Sequence, residues 1–109
     1  MQFMLQIIGF IDHTGDPTVE EFMAYDRSMV EAGAKVDGAP LGDYQQAASV
    51  QVGADGTPTV TTGLFPGNTE YLGGYIILEA PDLDAALDWA GRCPGAKYGR
   101  VEVRPIFRF

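Results

Sequence analysis

Two capped, amphipathic helical segments interleaved with period-two strands predict an α+β fold for this chain. The order along the sequence is strand, helix, strand, hairpin, strand, helix, strand. Two split strand–helix–strand halves in that order predict a ferredoxin-like plait. Such a plait has one antiparallel sheet with both helices on one face, and here a β-hairpin is inserted between the halves. At 109 residues, 46% of them hydrophobic, the chain is sized for one domain spanning 1–109.

Residues 2–10 (QFMLQIIGF) are rich in β-branched and aromatic side chains and too short for a typical helix. On a strand, Phe3, Leu5 and Ile7 share one face, and Gln2, Met4, Gln6 and Ile8 the other. A loop over 11–16 (IDHTGD) leads to Thr18, which can cap a helix, with Glu21 three positions on to complete a capping box. Val19, Phe22, Met23, Met29 and Val30 are assigned to the apolar stripe of that helix, and Gly33 to its end. Asp26, four residues from both Phe22 and Val30, puts a carboxylate into the stripe.

A short strand is expected around 35–38. Residues 48–52 (ASVQV) and 57–62 (TPTVTT) alternate on either side of Gly53-Ala54-Asp55-Gly56, a hairpin pattern. After a loop over 63–69 (GLFPGNT), residues 72–80 (LGGYIILEA) carry the strongest strand signal. Pro81 stops that strand and Asp82 caps the second helix, whose expected buried stripe is Leu83, Ala86, Leu87 and Ala90. Residues 91–99 read as a turn-rich loop. Residues 101–109 (VEVRPIFRF) read as a closing strand, with Val101, Val103, Phe107 and Phe109 on one face and Glu102, Arg104, Ile106 and Arg108 on the other.

Helices cover only one face of such a sheet. The other face combines Met4, Ile8, Ile77 and Ile106 with Gln6, Tyr75, Glu79, Glu102 and Arg104. This is too apolar to stand in water as one patch and too charged to form a dry core. Pairing of two copies resolves the conflict, so a homodimer enclosing a partly polar cavity is the expected assembly.

Seven Lys and Arg stand against fifteen Asp and Glu, a formal charge of −8. Such a surface repels phosphate, which argues against a nucleic-acid partner, and it disfavours anionic lipid. No apolar run approaches the about 18 residues of a membrane span. A single cysteine forms no internal disulfide, so a cytoplasmic location is expected.

Candidate chemistry rests on few residues. His13, beside Asp12 and near Asp16, is the one side chain that titrates near neutrality unperturbed, and it follows a strand where plait folds often place active-site loops. The alternative is a solvated loop histidine. Asp26 is a second acid/base candidate if its helix buries it, or a surface ion-pair member if the helix is rotated. Tyr75 and Arg104 could donate to and clamp a small anionic molecule, or pair structurally with Glu102 or Glu79. Phe65 with Gly63 could wall a pocket mouth or plug the core. Cys93, before Pro94, reads as a small buried hydrophobe. No metal-ligand spacing occurs and no cofactor is expected. Gly73-Gly74 precedes a strand and reads as a bulge or a close strand approach, not a phosphate loop.

Several stretches together resemble the YCII-related, DGPF-domain family. They are Thr61-Thr62-Gly63-Leu64-Phe65, Leu72-Gly73-Gly74-Tyr75, the run from Asp82 through Trp89-Ala90, Arg92-Cys93-Pro94 and Val101-Glu102-Val103-Arg104-Pro105-Ile106. The resemblance covers nearly the whole chain, including Glu20-Glu21-Phe22-Met23. It implies a dimeric α/β-barrel arrangement, and small-molecule chemistry of the cofactor-independent lyase or isomerase kind. Other relatives are uncharacterised or occur alongside extracytoplasmic-function sigma factors, which implies a dimeric interaction or regulatory domain instead. The signature Asp-Gly-Pro-Phe reads Thr62-Gly63-Leu64-Phe65 here, so its carboxylate and proline are absent. The YCII branch carries a proposed His/Asp dyad with its histidine in the first helix. This chain has no histidine there, and the dyad does not carry over.

Overall fold

The computed structural model describes residues 1–13 and 15–108. Its elements are β1 (Gln2–Phe10), α1 (Val19–Glu31), β2 (Lys35–Pro40), β3 (Ala48–Val52), β4 (Pro58–Thr62), β5 (Glu70–Glu79), α2 (Leu83–Arg92), α3 (Gly95–Tyr98) and β6 (Arg100–Pro105). Strands β2, β5, β1 and β6 form an antiparallel sheet in that order, and β3 and β4 form a separate two-stranded sheet. This is the α+β plait expected from the element order, with the hairpin inserted between its halves.

Local chemistry sets the boundaries. Thr18 caps α1 by accepting from the Glu21 N–H at 3.1 Å, while the Glu21 carboxylate accepts from the Thr18 N–H at 3.1 Å. Gly33, at φ 70°, lets the chain leave α1 in the left-handed region. Asp82 caps α2 by accepting from Ala85 N–H at 2.9 Å. The hairpin turn closes through Gly53 N–H to Thr57 O at 3.0 Å, with Asp55 accepting from Thr57 N–H at 3.0 Å. Phe65-Pro66-Gly67-Asn68 forms a further turn in which Asn68 N–H reaches Phe65 O at 3.0 Å and Gly67 takes φ 89°.

The core lies between the sheet and the helices: Phe3, Leu5 and Leu78 from the strands meet Tyr25, Met29, Ala86, Ala90 and Cys93. Ile7, Ile76, Val101 and Val103 pack around them. Gly95 allows α3 to lie on the sheet, because a Cβ there would come within 2.6 Å of the Ile7 side chain.

Four expectations are corrected. The buried side of α1 is Tyr25 and Met29, flanked by Phe22, while Val19, Met23 and Val30 are exposed. Tyr25 buries its ring because its hydroxyl finds a partner, donating to the Trp89 carbonyl at 2.7 Å. In α2 only the small Ala86 and Ala90 are buried, and Leu83 and Leu87 are about half exposed, since alanines let the helix approach the sheet. The loop expected over 91–99 contains α3. The closing strand ends at Pro105 and Phe107 is 81% exposed, not inward. Phe109 lies outside the described residues.

The molecule is a plate, 49 × 40 × 18 Å, with a radius of gyration of 15.9 Å. A compact domain of this length has a radius near 13 Å. One layer of helices and a projecting hairpin account for the difference. No described helix is long and apolar enough to cross a membrane.

Candidate functional site

The sheet register fixes which side chains share the face away from the helices. Ile77, Met4 and Arg104 stand opposite one another on β5, β1 and β6, and Tyr75, Gln6 and Glu102 form the next row. Leu72, Ile8 and Arg100 form the third. The face thus alternates an apolar row ending in Arg104 with a polar row of a phenol, an amide and a carboxylate. Strand spacing puts the Tyr75 and Arg104 Cα atoms roughly 12 Å apart. Arg104 is exposed and, among the described residues, has no ion-pair partner. Glu102 is engaged: its carboxylate accepts from Arg100 at 3.1 Å. Arg100 also forms a two-pronged pair with Glu70 across the sheet, both contacts at 3.0 Å. The Glu70 pairing, then that with Glu102, drives the guanidinium further up, and Arg100 holds the Glu70 carboxyl below its ordinary value.

At the end of the sheet, the loop after β1 holds His13. One ring nitrogen, Nδ1, faces the Phe10 carbonyl and the other, Nε2, meets Asp16 Oδ1 at 2.6 Å. Both partners accept, so they favour the doubly protonated ring. The Phe10 carbonyl, then Asp16, raises the pKa of His13. The orienting carboxylate is therefore Asp16, not the adjacent Asp12, and the ring is held as a donor.

The β5 bulge changes what lies beside His13. Ile7 pairs with Gly74 but Ile8 pairs with Leu72, so Gly73 is the extra residue. Tyr71 therefore pairs with Gly9 and turns to the helix side, opposite to Tyr75. Its ring lies over Gly9 and stacks on Tyr44 with centroids 4.6 Å apart. Burial, then the fields of Asp16, Tyr44 and Asp43, pushes the Tyr71 phenol up. This aromatic pair lines an open hollow of about 390 Å³ with Leu41, Asp43, Leu64 and Leu72. The sequence reading missed Tyr44 and Tyr71; the signal for the latter was the glycine pair that follows it.

The remaining candidates occupy other places. Gly63, at φ 76°, ends the hairpin and donates its N–H to Ala47 O at 2.6 Å. Phe65 sits partly exposed in the turn beyond it, while Leu64 between them lines the hollow. Asp26 lies at the margin of α1, its side chain 48% exposed, in an ion pair with Lys35 of β2. It stands on the helix side of the sheet, whereas Tyr75 and Arg104 occupy the opposite side, so no single pocket joins the three. A second hollow of about 600 Å³ between α1 and the α2–α3 junction is lined by Tyr25, Ser28, Arg92, Cys93 and Lys97. Arg92 stacks on Trp89 at 3.9 Å and pairs with Asp88 at 3.0 Å. Burial raises the Cys93 thiol, which disfavours the nucleophilic thiolate.

A whole-chain plait with one bare sheet face and these segments defines a class of small α+β domains. The YCII-related domain matches residues 1–109, and the chain belongs to that family. No curated protein matches the chain.

Proposed function

We propose that the chain is a small-molecule-binding protein that works as a homodimer, with its ligand held between two apposed sheet faces. The reading is carried by the row Tyr75–Gln6–Glu102 beside Ile77–Met4–Arg104, on the face away from the helices, which no element among the described residues covers. Arg104 supplies an unpaired cation for a small anionic ligand, Tyr75 a phenol donor, and Ile77 and Met4 the apolar surface that excludes water. Phe65 and Gly63 belong to the turns that connect β4 to β5. His13, whose two ring nitrogens face the acceptors Phe10 O and Asp16 Oδ1, would act as a proton donor, and Glu102 as an acceptor. Those two roles fit cofactor-independent lyase or isomerase chemistry.

Native mass spectrometry of the purified protein tests this. The expected spectrum is a dimer carrying a co-purified small anion that Arg104→Ala removes. A monomer at micromolar concentration overturns the reading.

One observation favours a second reading, a non-catalytic dimeric interaction or regulatory domain of the kind found beside sigma factors. His13, Asp26 and Glu102 are each already engaged by a partner within the chain. A dimer that carries no small molecule, and whose mass spectrum is unchanged by Arg104→Ala, selects it.

A further inference from the structure

The hairpin stands apart from the rest of the molecule. Strands β3 and β4 pair with each other and with nothing else, and neither packs more than marginally on another element. Its register puts Ala48, Val50, Val52, Pro58, Val60 and Thr62 on one face and Ser49, Gln51, Thr59 and Thr61 on the other. The first face is uncovered: Val50, Val52 and Val60 are 63%, 67% and 62% exposed. An isolated two-stranded ribbon is marginal in water, so this one needs a surface to lie on.

Charge indicates which surface. None of the ten residues of β3 and β4 is charged, in a chain with a formal charge of −8. Two copies repel each other over most of their surfaces, and the hairpin is where they meet with least cost. A basic partner would instead be met by carboxylates. Both outer edges of the ribbon are also free of the lysines and glutamates that usually block strand pairing.

Area agrees. The accessible surface is 7305 Å², whereas a compact monomer of this mass exposes about 5,900 Å². The excess, roughly 1,400 Å², exceeds the about 800 Å² per partner of a standard interface. The bare sheet face has a footprint of only roughly 400 Å², four strands wide and six residues long.

We propose that the β3–β4 hairpin is an arm that lies against a second copy of this chain, with the Val50, Val52, Pro58 and Val60 face closed by the partner. This extends the dimer reading above and rests on it.

The test is sedimentation velocity over a concentration series, with far-UV circular dichroism as a check on folding. The double variant Val50→Lys/Val60→Lys places charge at two exposed positions and should weaken the dimer at least about tenfold with an unchanged spectrum. Val50→Ser/Val60→Ser removes apolar area without charge and should weaken it in the same direction by less. A wild-type dimer whose affinity neither variant changes overturns the arm and leaves the sheet-face dimer standing. Ile77→Lys then tests that face separately. A wild-type monomer at about 100 µM overturns both.

Discussion

Tyr71 lies across Gly9, and only a residue without a side chain leaves room for its ring. A Cβ at Gly9 would stand 2.5 Å from the Tyr71 hydroxyl oxygen, and the ring cannot withdraw without breaking its stack on Tyr44. Gly9→Ala should therefore destabilise the fold by about 1–3 kcal/mol, the range for overpacking a fitted site. In a Tyr71→Leu background the same change should cost much less. Urea denaturation of the four proteins in that double-mutant cycle measures the difference. Additive costs would mean that the ring moves aside freely.

His13 is the only histidine, so its ring gives one unobscured titration. The Phe10 carbonyl and the Asp16 carboxylate raise its folded pKa above 6.5. The associated stabilisation is present below the unfolded value of 6.5 and is lost as pH rises through the folded value. Proton NMR should place the midpoint above 6.5, and Asp16→Asn should lower it. A midpoint at or below 6.5 in the wild type contradicts the geometry of the loop.

Tyr25 links two helices through one donor, its hydroxyl, which reaches the Trp89 carbonyl at 2.7 Å. Burial pushes that phenol well above its ordinary pKa, so it stays protonated and donating across the accessible pH range. Tyr25→Phe keeps the ring and leaves the carbonyl without its partner, at about 1–2 kcal/mol. A melting-temperature decrease of roughly 5–10 °C follows for a domain of this size. An unchanged melting temperature would mean that water replaces the phenol.

Gly63 ends β4 at φ 76° with nothing within 4 Å of where a Cβ would stand. Its substitution therefore tests backbone conformation alone. Gly63→Ala should cost about 1–2 kcal/mol, and Gly63→Asn clearly less, because asparagine tolerates the left-handed region. Equal costs for the two, measured by urea denaturation, would point to a packing role instead.

Much of the plait was legible because period-two strands and side-chain caps are local signals. Thr18 with Glu21, Asp82, and the alternation of Phe3, Leu5 and Ile7 against Met4, Gln6 and Ile8 each predicted a feature that the structure contains. What was not legible depends on distant partners. Tyr25 was not placed on the buried stripe, and its burial depends on an acceptor 64 residues away. Tyr71 and Tyr75, four apart, belong on one face of a regular strand, and only the extra Gly73 sends them to opposite sides. Asp26 was read as lying in a stripe of Val19, Phe22, Met23, Met29 and Val30, either buried or turned out to an ion pair. Because Val19, Met23 and Val30 are exposed, the second alternative is the one found, with Lys35 as partner. His13 was read beside Asp12 and near Asp16, and which of the two it meets depends on a loop turn that the pattern does not encode.

The strand order has a consequence for synthesis. The central strand β1 is made first, yet its two neighbours, β5 and β6, are the last strands made. Until they emerge, β1 has no hydrogen-bonding partner on either side, and its apolar row of Phe3, Leu5 and Ile7 lacks the part of its core that Leu78, Ala86, Ala90 and Cys93 supply. Folding of the sheet is thus delayed until β5 and β6 have left the ribosome, and the nascent chain passes through a long interval in which shielding by a chaperone would matter most.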